Sequence, residues 1–199
     1  MLKFGPLGET TVHLCVDMQR LFAEPTEWTT PWMKRVLPNV VRLCERHAEH
    51  CVFSRFIPAR APGLGHGTWK PYYERWHAIT IAELGEDMVR LVPELERFTP
   101  PGLVVDKHVY SPWYETGLDA TLKSRGVDTL VISGGETEVC VLATVLGAID
   151  FGYRVLLATD ALCSSADPTH DAMIDIYNMR YGMQVEPVTT DEILAEWRS

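Results

Sequence analysis

The 199 residues are 46% hydrophobic and 23% charged, with a formal net charge of −9. That is the make-up of a globular chain long enough for a sizeable core, and the acidic balance argues against nucleic acid or an anionic membrane as partner. No apolar run reaches the length of a membrane span, and MLKFGPLGETTVH lacks a signal-peptide core, so a cytoplasmic location is expected.

Thr11–Asp17 (TVHLCVD) is short, apolar and rich in β-formers, and predicts a buried strand. Apolar residues at helical spacing (Val36, Val40, Val41, Leu43, Cys44) predict a helix over about 31–50. HCVFSRFI, residues 50–57, predicts a second strand. A long irregular piece follows, rich in proline, glycine and aromatic residues; its length points to a functional loop and its aromatics argue against disorder. A helical patch is expected near 87–98, and a third strand over 103–109. Residues 118–125 predict a helix closed by Gly126. Then come a strand over 129–135, a buried helix over 138–151 ended by Gly152, a strand over 154–160, and a helix over 168–181 ended by Gly182. A strand over 183–188 and a terminal helix, DEILAEW, complete the chain.

Strands alternate with helices, and the strands are continuous apolar runs rather than alternating ones. That predicts a mostly parallel sheet covered on both faces: one three-layer α/β/α domain over residues 1–199, with no internal repeat or linker. The five cysteines (15, 44, 51, 140 and 163) are odd in number and form no CxxC pair, so free thiols are expected.

Open parallel sheets bind ligands beyond the carboxyl ends of their strands. Asp17 ends the first predicted strand, Lys107 lies near the end of the third, and the fourth runs through Gly134 and Gly135 towards Cys140. With Thr137 as N-cap, Cys140 falls in the first turn of a helix, where free N–H groups favour a thiolate and can hold an oxyanion. A free cysteine is also among the residue types most often buried as core, and the residue alone leaves both readings open. Asp17 reads equally as a turn residue, and Lys107 as a side chain snorkelling at a sheet edge. The shared location of the three is the stronger observation: a carboxylate, an amine and a thiol, distant in sequence, brought to one sheet edge.

VDMQ around Asp17, DKHVYSPW around Lys107 and GGETEVCV around Cys140, followed by an apolar helix and RVLLATDA, resemble the isochorismatase-like cysteine hydrolases, the superfamily of nicotinamidase, N-carbamoylsarcosine amidase and ureidoacrylate hydrolase. The resemblance runs from Val16 nearly to the end of the chain and implies a six-stranded parallel sheet. It implies Cys140 as nucleophile, Asp17 as general base and Lys107 as its orienting partner. It further implies a cis peptide before Glu136, with the N–H groups of Glu136 and Cys140 as oxyanion hole. The expected activity is a metal-independent amidohydrolase that cleaves a C–N bond of a small amide or ureido compound through a thioester. A homo-oligomer, dimer or tetramer, is expected by the same resemblance.

Nicotinamidases carry an Asp-x-His metal pair after the second strand; here that place reads SRFIPAR. His66 and His77 follow in the loop but are scattered, so no catalytic metal and no cofactor are expected. Phe22, Trp28, Trp69, Trp76 and Trp113 are candidates to wall a site for a planar amide, with Tyr72 and Tyr73 beside them. Arg55 and Arg60 are candidates to bind a substrate carboxylate. Two other readings stand beside the first: a nicotinamidase-like amidase with altered metal ligands, and a non-catalytic homologue acting as an interaction protein.

Overall fold

A computed structural model describes residues 1–197. Its centre is a six-stranded sheet: β1 (Thr11–Val16), β2 (Cys51–Phe56), β3 (Leu103–Lys107), β4 (Thr129–Gly135), β5 (Arg154–Cys163) and β6 (Val185–Val188). The spatial order is β3-β2-β1-β4-β5-β6 and every pairing is parallel. The first three strands run outward from β1 on one side, and the last three run outward on the other. The order therefore reverses between β1 and β4, the kind of crevice in which open α/β sheets hold ligands.

The helices, in chain order, are α1 (Arg20–Ala23), α2 (Met33–Arg46), α3 (Trp69–Arg75), α4 (Ile81–Leu84), α5 (Pro93–Glu96), α6 (Leu118–Ser124), α7 (Leu142–Asp150), α8 (Asp167–Arg180) and α9 (Thr190–Glu196). Alternate strand residues enter opposite cores, as the two-residue period of a strand requires. Val12, Leu14 and Val16 of β1 pack with Leu122 of α6, Val145 and Ala148 of α7 and Tyr177 of α8. Cys15, Phe53 and Val131 face the other way, towards Val36, Val40 and Leu43 of α2 and Ile193 of α9. The expected three-layer α/β/α arrangement is the observed one. No helix among the described residues is long and apolar enough to cross a membrane.

Several boundaries differ from expectation, for physical reasons. β3 ends at Lys107, two residues short of the expected 109, and lies at the sheet edge: Leu103 and Val104 are 37% and 40% exposed, and only Lys107 is buried. β5 continues three residues past Asp160, running beside Gly134 and Gly135 through Leu162 and Cys163. Asp160 does not end it, because its carboxylate is used laterally, accepting from Asn39 Nδ2 at 3.0 Å and from the Thr190 N–H at 2.8 Å. The irregular piece after β2 carries α3 and a run of short helical turns. Gly126 and Gly152 end their helices in the left-handed region, as expected, whereas Gly182 does not adopt a positive φ. The last helix opens with a capping box: the Thr189 side chain accepts from the Glu192 N–H, and the Glu192 carboxylate accepts from the Thr189 N–H at 2.8 Å.

Candidate active site

β1 delivers Asp17 at its carboxyl end. The residue sits at φ 52°, a left-handed conformation that Asp tolerates better than most. Its N–H is held by the Ser54 carbonyl at 3.1 Å, and its own carbonyl accepts from the Gln19 N–H at 2.8 Å. The buried Gln19 amide donates to the carbonyls of Phe56 and Val89 and accepts from the Phe56 N–H, tying the strand end to two loops. VDMQ is thus a bracket that fixes where the carboxylate points.

Lys107 reaches the same place from the end of β3. Its Nζ lies 2.7 Å from Asp17 Oδ2, with both side chains excluded from solvent. The same Nζ donates to the Val109 carbonyl at 3.2 Å and lies 3.3 Å from Cys140 Sγ, with the Phe56 ring 5.0 Å away. Ser54 Oγ donates to Asp17 Oδ1 at 2.6 Å, so each carboxylate oxygen has a partner.

Cys140 follows β4. Gly134, at φ 105°, packs so tightly on the Val16 backbone that a Cβ would overlap the Val16 carbonyl. The Gly135–Glu136 peptide is cis. The chain then forms one wide π turn, Thr137–Val141, before entering α7; such turns recur at functional sites. The Glu136 carbonyl accepts from the N–H groups of Val139 and Val141, on either side of Cys140. Thr137 is not the N-cap: Glu136 occupies that position, and Thr137 Oγ1 is spent on the Cys163 carbonyl and His170 Nδ1.

The three expected catalytic groups therefore converge. Their electrostatics differ from the simplest expectation in one respect. Burial pushes the Cys140 thiol well up, and the Asp17 charge pushes it further, against the opposing effect of Lys107. The net direction is upward, away from the thiolate that a helix start alone would favour. Burial acts to lower the Lys107 ammonium, but Asp17 and Cys140 outweigh it and the group is raised. An ammonium held on a carboxylate, with a thiol alongside, is an arrangement through which a proton can move between sulfur and carboxylate.

Cys140 opens into a cavity of about 270 Å³, walled by Phe22, Trp28, Phe56, Tyr72, Trp76 and Tyr110, with Glu27, Thr29, Glu136, Val139 and Ser165 completing the lining. Trp28 is the hub, its ring centroid within 5.8–6.2 Å of those of Phe22, Phe56, Tyr72 and Trp76. Of the expected wall residues, Phe22, Trp28, Tyr72 and Trp76 line this space, and Tyr73 does not. Trp69 stands behind it, packed on Phe56, Tyr72 and Tyr110. Trp113 packs against Tyr153 and Phe151, and its Nε1 donates to the Thr144 carbonyl at 2.9 Å, so it supports α7. Arg55 forms a two-pronged pair with Asp106, at 2.7 and 2.9 Å, and with Arg60 lines a different cleft. Ser54, Phe56, Tyr110 and Glu27 were missed. Ser54 left a signal, a buried-strand hydroxyl after the apolar run Cys51–Phe53; Tyr110 and Glu27 gain a place only through loop packing.

One buried group of metal-ligating side chains lies elsewhere. His13, Cys44 and Cys51 bring their ligand atoms within 4.8 Å of one another. His13 Nε2 pairs with Ser133 Oγ at 2.7 Å, and Nδ1 faces the two sulfurs at 3.6 and 3.8 Å. None of the three lines the cavity. The exposed His66 and His77 are not among the cavity-lining residues either.

Known proteins resemble this chain over most of its length. The isochorismatase domain model matches residues 11–192. The ureidoacrylate amidohydrolase RutB of Methylorubrum extorquens is 36% identical over 186 residues, covering 81% of this chain and 73% of that protein. A cysteine hydrolase structure from Pseudomonas syringae pv. phaseolicola superposes with a TM-score of 0.80 at 24% identity, covering 94% of this chain and 92% of that one. The N-carbamoylsarcosine amidase structure from Thermoplasma acidophilum gives 0.74 at 24% identity, covering 92% and 98%.

Proposed function

The chain belongs to the isochorismatase family, and from that premise we propose that it is a cysteine amidohydrolase, cleaving a C–N bond of a small amide or ureido compound through a thioester on Cys140. The observation that carries this reading is the meeting of Asp17 Oδ2, Lys107 Nζ and Cys140 Sγ in one solvent-excluded cluster beside the cavity. The amidohydrolase and amidase names among its relatives point the same way.

The substrate carbonyl enters between the aromatic walls. Asp17 takes the Cys140 proton as sulfur attacks the carbonyl carbon. The N–H groups of Glu136 and Cys140 receive the oxyanion. Asp17 then passes the proton to the leaving nitrogen, and ammonia or an amine departs. Water, deprotonated by Asp17, attacks the thioester and returns the thiol. Lys107 holds the Asp17 carboxylate in place and stabilises negative charge on sulfur in the transition state. Each proton removed by Asp17 is given back within the cycle, so no other cofactor is needed to balance it. No imidazole lines the cavity, so the lining offers no nitrogen ligand of the kind expected in nicotinamidases. We propose cytoplasmic, homo-oligomeric enzyme as the working form.

Ammonia release from a panel of amides and ureides (ureidoacrylate, biuret, N-carbamoyl amino acids, nicotinamide) tests the reading. At least one should be hydrolysed by wild type and none by Cys140→Ser. Equal activity in the variant would refute covalent catalysis by sulfur.

A further inference from the structure

The charge of the cavity lining narrows the substrate class, an inference that rests on the amidohydrolase reading. Six aromatic side chains wall the cavity, and its two ionisable groups besides Cys140 and the tyrosines are the carboxylates of Glu27 and Glu136. Among the described residues no arginine, lysine or histidine lines it. Among the described residues neither glutamate forms a salt bridge. Glu136 Oε1 accepts from the Ser165 N–H at 2.9 Å; Glu27 stands exposed at the rim.

The cations that lie near are already engaged. Lys107 is paired to Asp17 behind Cys140. Arg55 is held by Asp106 in another cleft. The Arg75 guanidinium lies 4.5 Å from the Trp76 ring centroid without lining the cavity, and Lys107 stands over Phe56. Two of the walls thus already show the contact an aromatic face makes with a cation. An anionic substrate group entering here would meet ring faces of negative quadrupole and two carboxylates, with no free donor of positive charge.

We propose that this cavity selects amides bearing a positively charged group, such as a quaternary or protonated amine, and disfavours those bearing a carboxylate. The ring faces hold the cation, Glu27 and Glu136 complement it, and the amide carbonyl is left facing Cys140. The aromatic walls suit a bulky, weakly hydrated ammonium better than a small, strongly hydrated one.

Three amides of similar shape separate charge from size: betaine amide (cationic), tert-butylacetamide (neutral) and malonamate (anionic). Binding is measured by calorimetry on the Cys140→Ser protein, so no turnover is required. Betaine amide should bind about tenfold more tightly than tert-butylacetamide, with malonamate weakest. The preference should shrink in Glu27→Gln and at high salt, because Glu27 is solvent-exposed. Equal affinities, tighter malonamate, or no binding of betaine amide at millimolar concentration would overturn the proposal. The amidohydrolase reading is judged separately, by ammonia release from the wild type. Hydrolysis of malonamate but not betaine amide would sink the charge selection and leave the hydrolase standing.

Discussion

Replacing Asp17 with Asn separates the chemical from the structural work of the carboxylate. Asn is nearly isosteric, and its Oδ1 still accepts from Ser54 Oγ, which donates to Asp17 at 2.6 Å. What is lost is the charge 2.7 Å from the Lys107 ammonium, in a place where both side chains are shielded from water. Leaving one member of a buried pair without its partner costs about 3–5 kcal/mol. At roughly 2–4 °C per kcal/mol for a chain of this size, the melting temperature should fall by about 6–20 °C. Turnover should fall by about 10²–10⁴, the usual worth of a positioned general base. Adding Lys107→Met removes the stranded charge while keeping an apolar stem. The double variant should recover most of the lost melting temperature and none of the activity. Calorimetry and an ammonia assay on the four proteins of this cycle read both effects. Asp17→Asn with turnover within about twofold of wild type, or a double variant less stable than the single, would refute the reasoning.

Other consequences follow from the same geometry. Gly134→Ala places a methyl group on the Val16 backbone at φ 105°, and should cost about 3 kcal/mol or more, seen as a lowered denaturation midpoint. Iodoacetamide should label Cys140 first, because it is 6% exposed while Cys15, Cys44, Cys51 and Cys163 are fully buried. Since burial and the Asp17 charge both raise this thiol above an ordinary cysteine, the labelling rate should rise with pH; peptide mapping showing another cysteine modified first would contradict the access argument. Alkaline pH should destabilise the fold. Cys140 and Lys107 are both raised above their ordinary values of 9.0 and 10.5. A group raised in the folded state stabilises it below the unfolded pKa and loses that contribution as pH climbs through the folded value. Denaturation midpoints should therefore decline from about pH 9 upward, and less steeply in Cys140→Ser.

The sheet was legible because each strand is an apolar run closed by a recognisable break, and Thr129–Gly135 is observed with the bounds expected. The meeting of Asp17, Lys107 and Cys140 was legible for a related reason: the first two fall at the ends of predicted strands, and Cys140 follows the Gly-Gly turn after the fourth. The cavity wall was legible only in part. Trp69 and Trp76 are separated by only six residues on the same loop, yet one stands behind the wall and the other lines it. Composition does not encode which ring faces inward; the packing around Trp28 decides it. Arg55 looked free in sequence because its partner, Asp106, lies on a neighbouring strand and only the register between β2 and β3 brings them together. The direction in which the thiol is shifted also escaped the sequence, since helix position suggested a thiolate while burial and Asp17 push the other way.

Covalent catalysis by Cys140 is tested most directly by acid-quenching the enzyme during turnover of any amide it hydrolyses and weighing its peptides. The peptide containing Cys140 should carry the acyl mass of the substrate, and hydroxylamine should remove it. Continued turnover with that peptide unmodified at every quench time, and with Cys140→Ala as active as wild type, would contradict the mechanism.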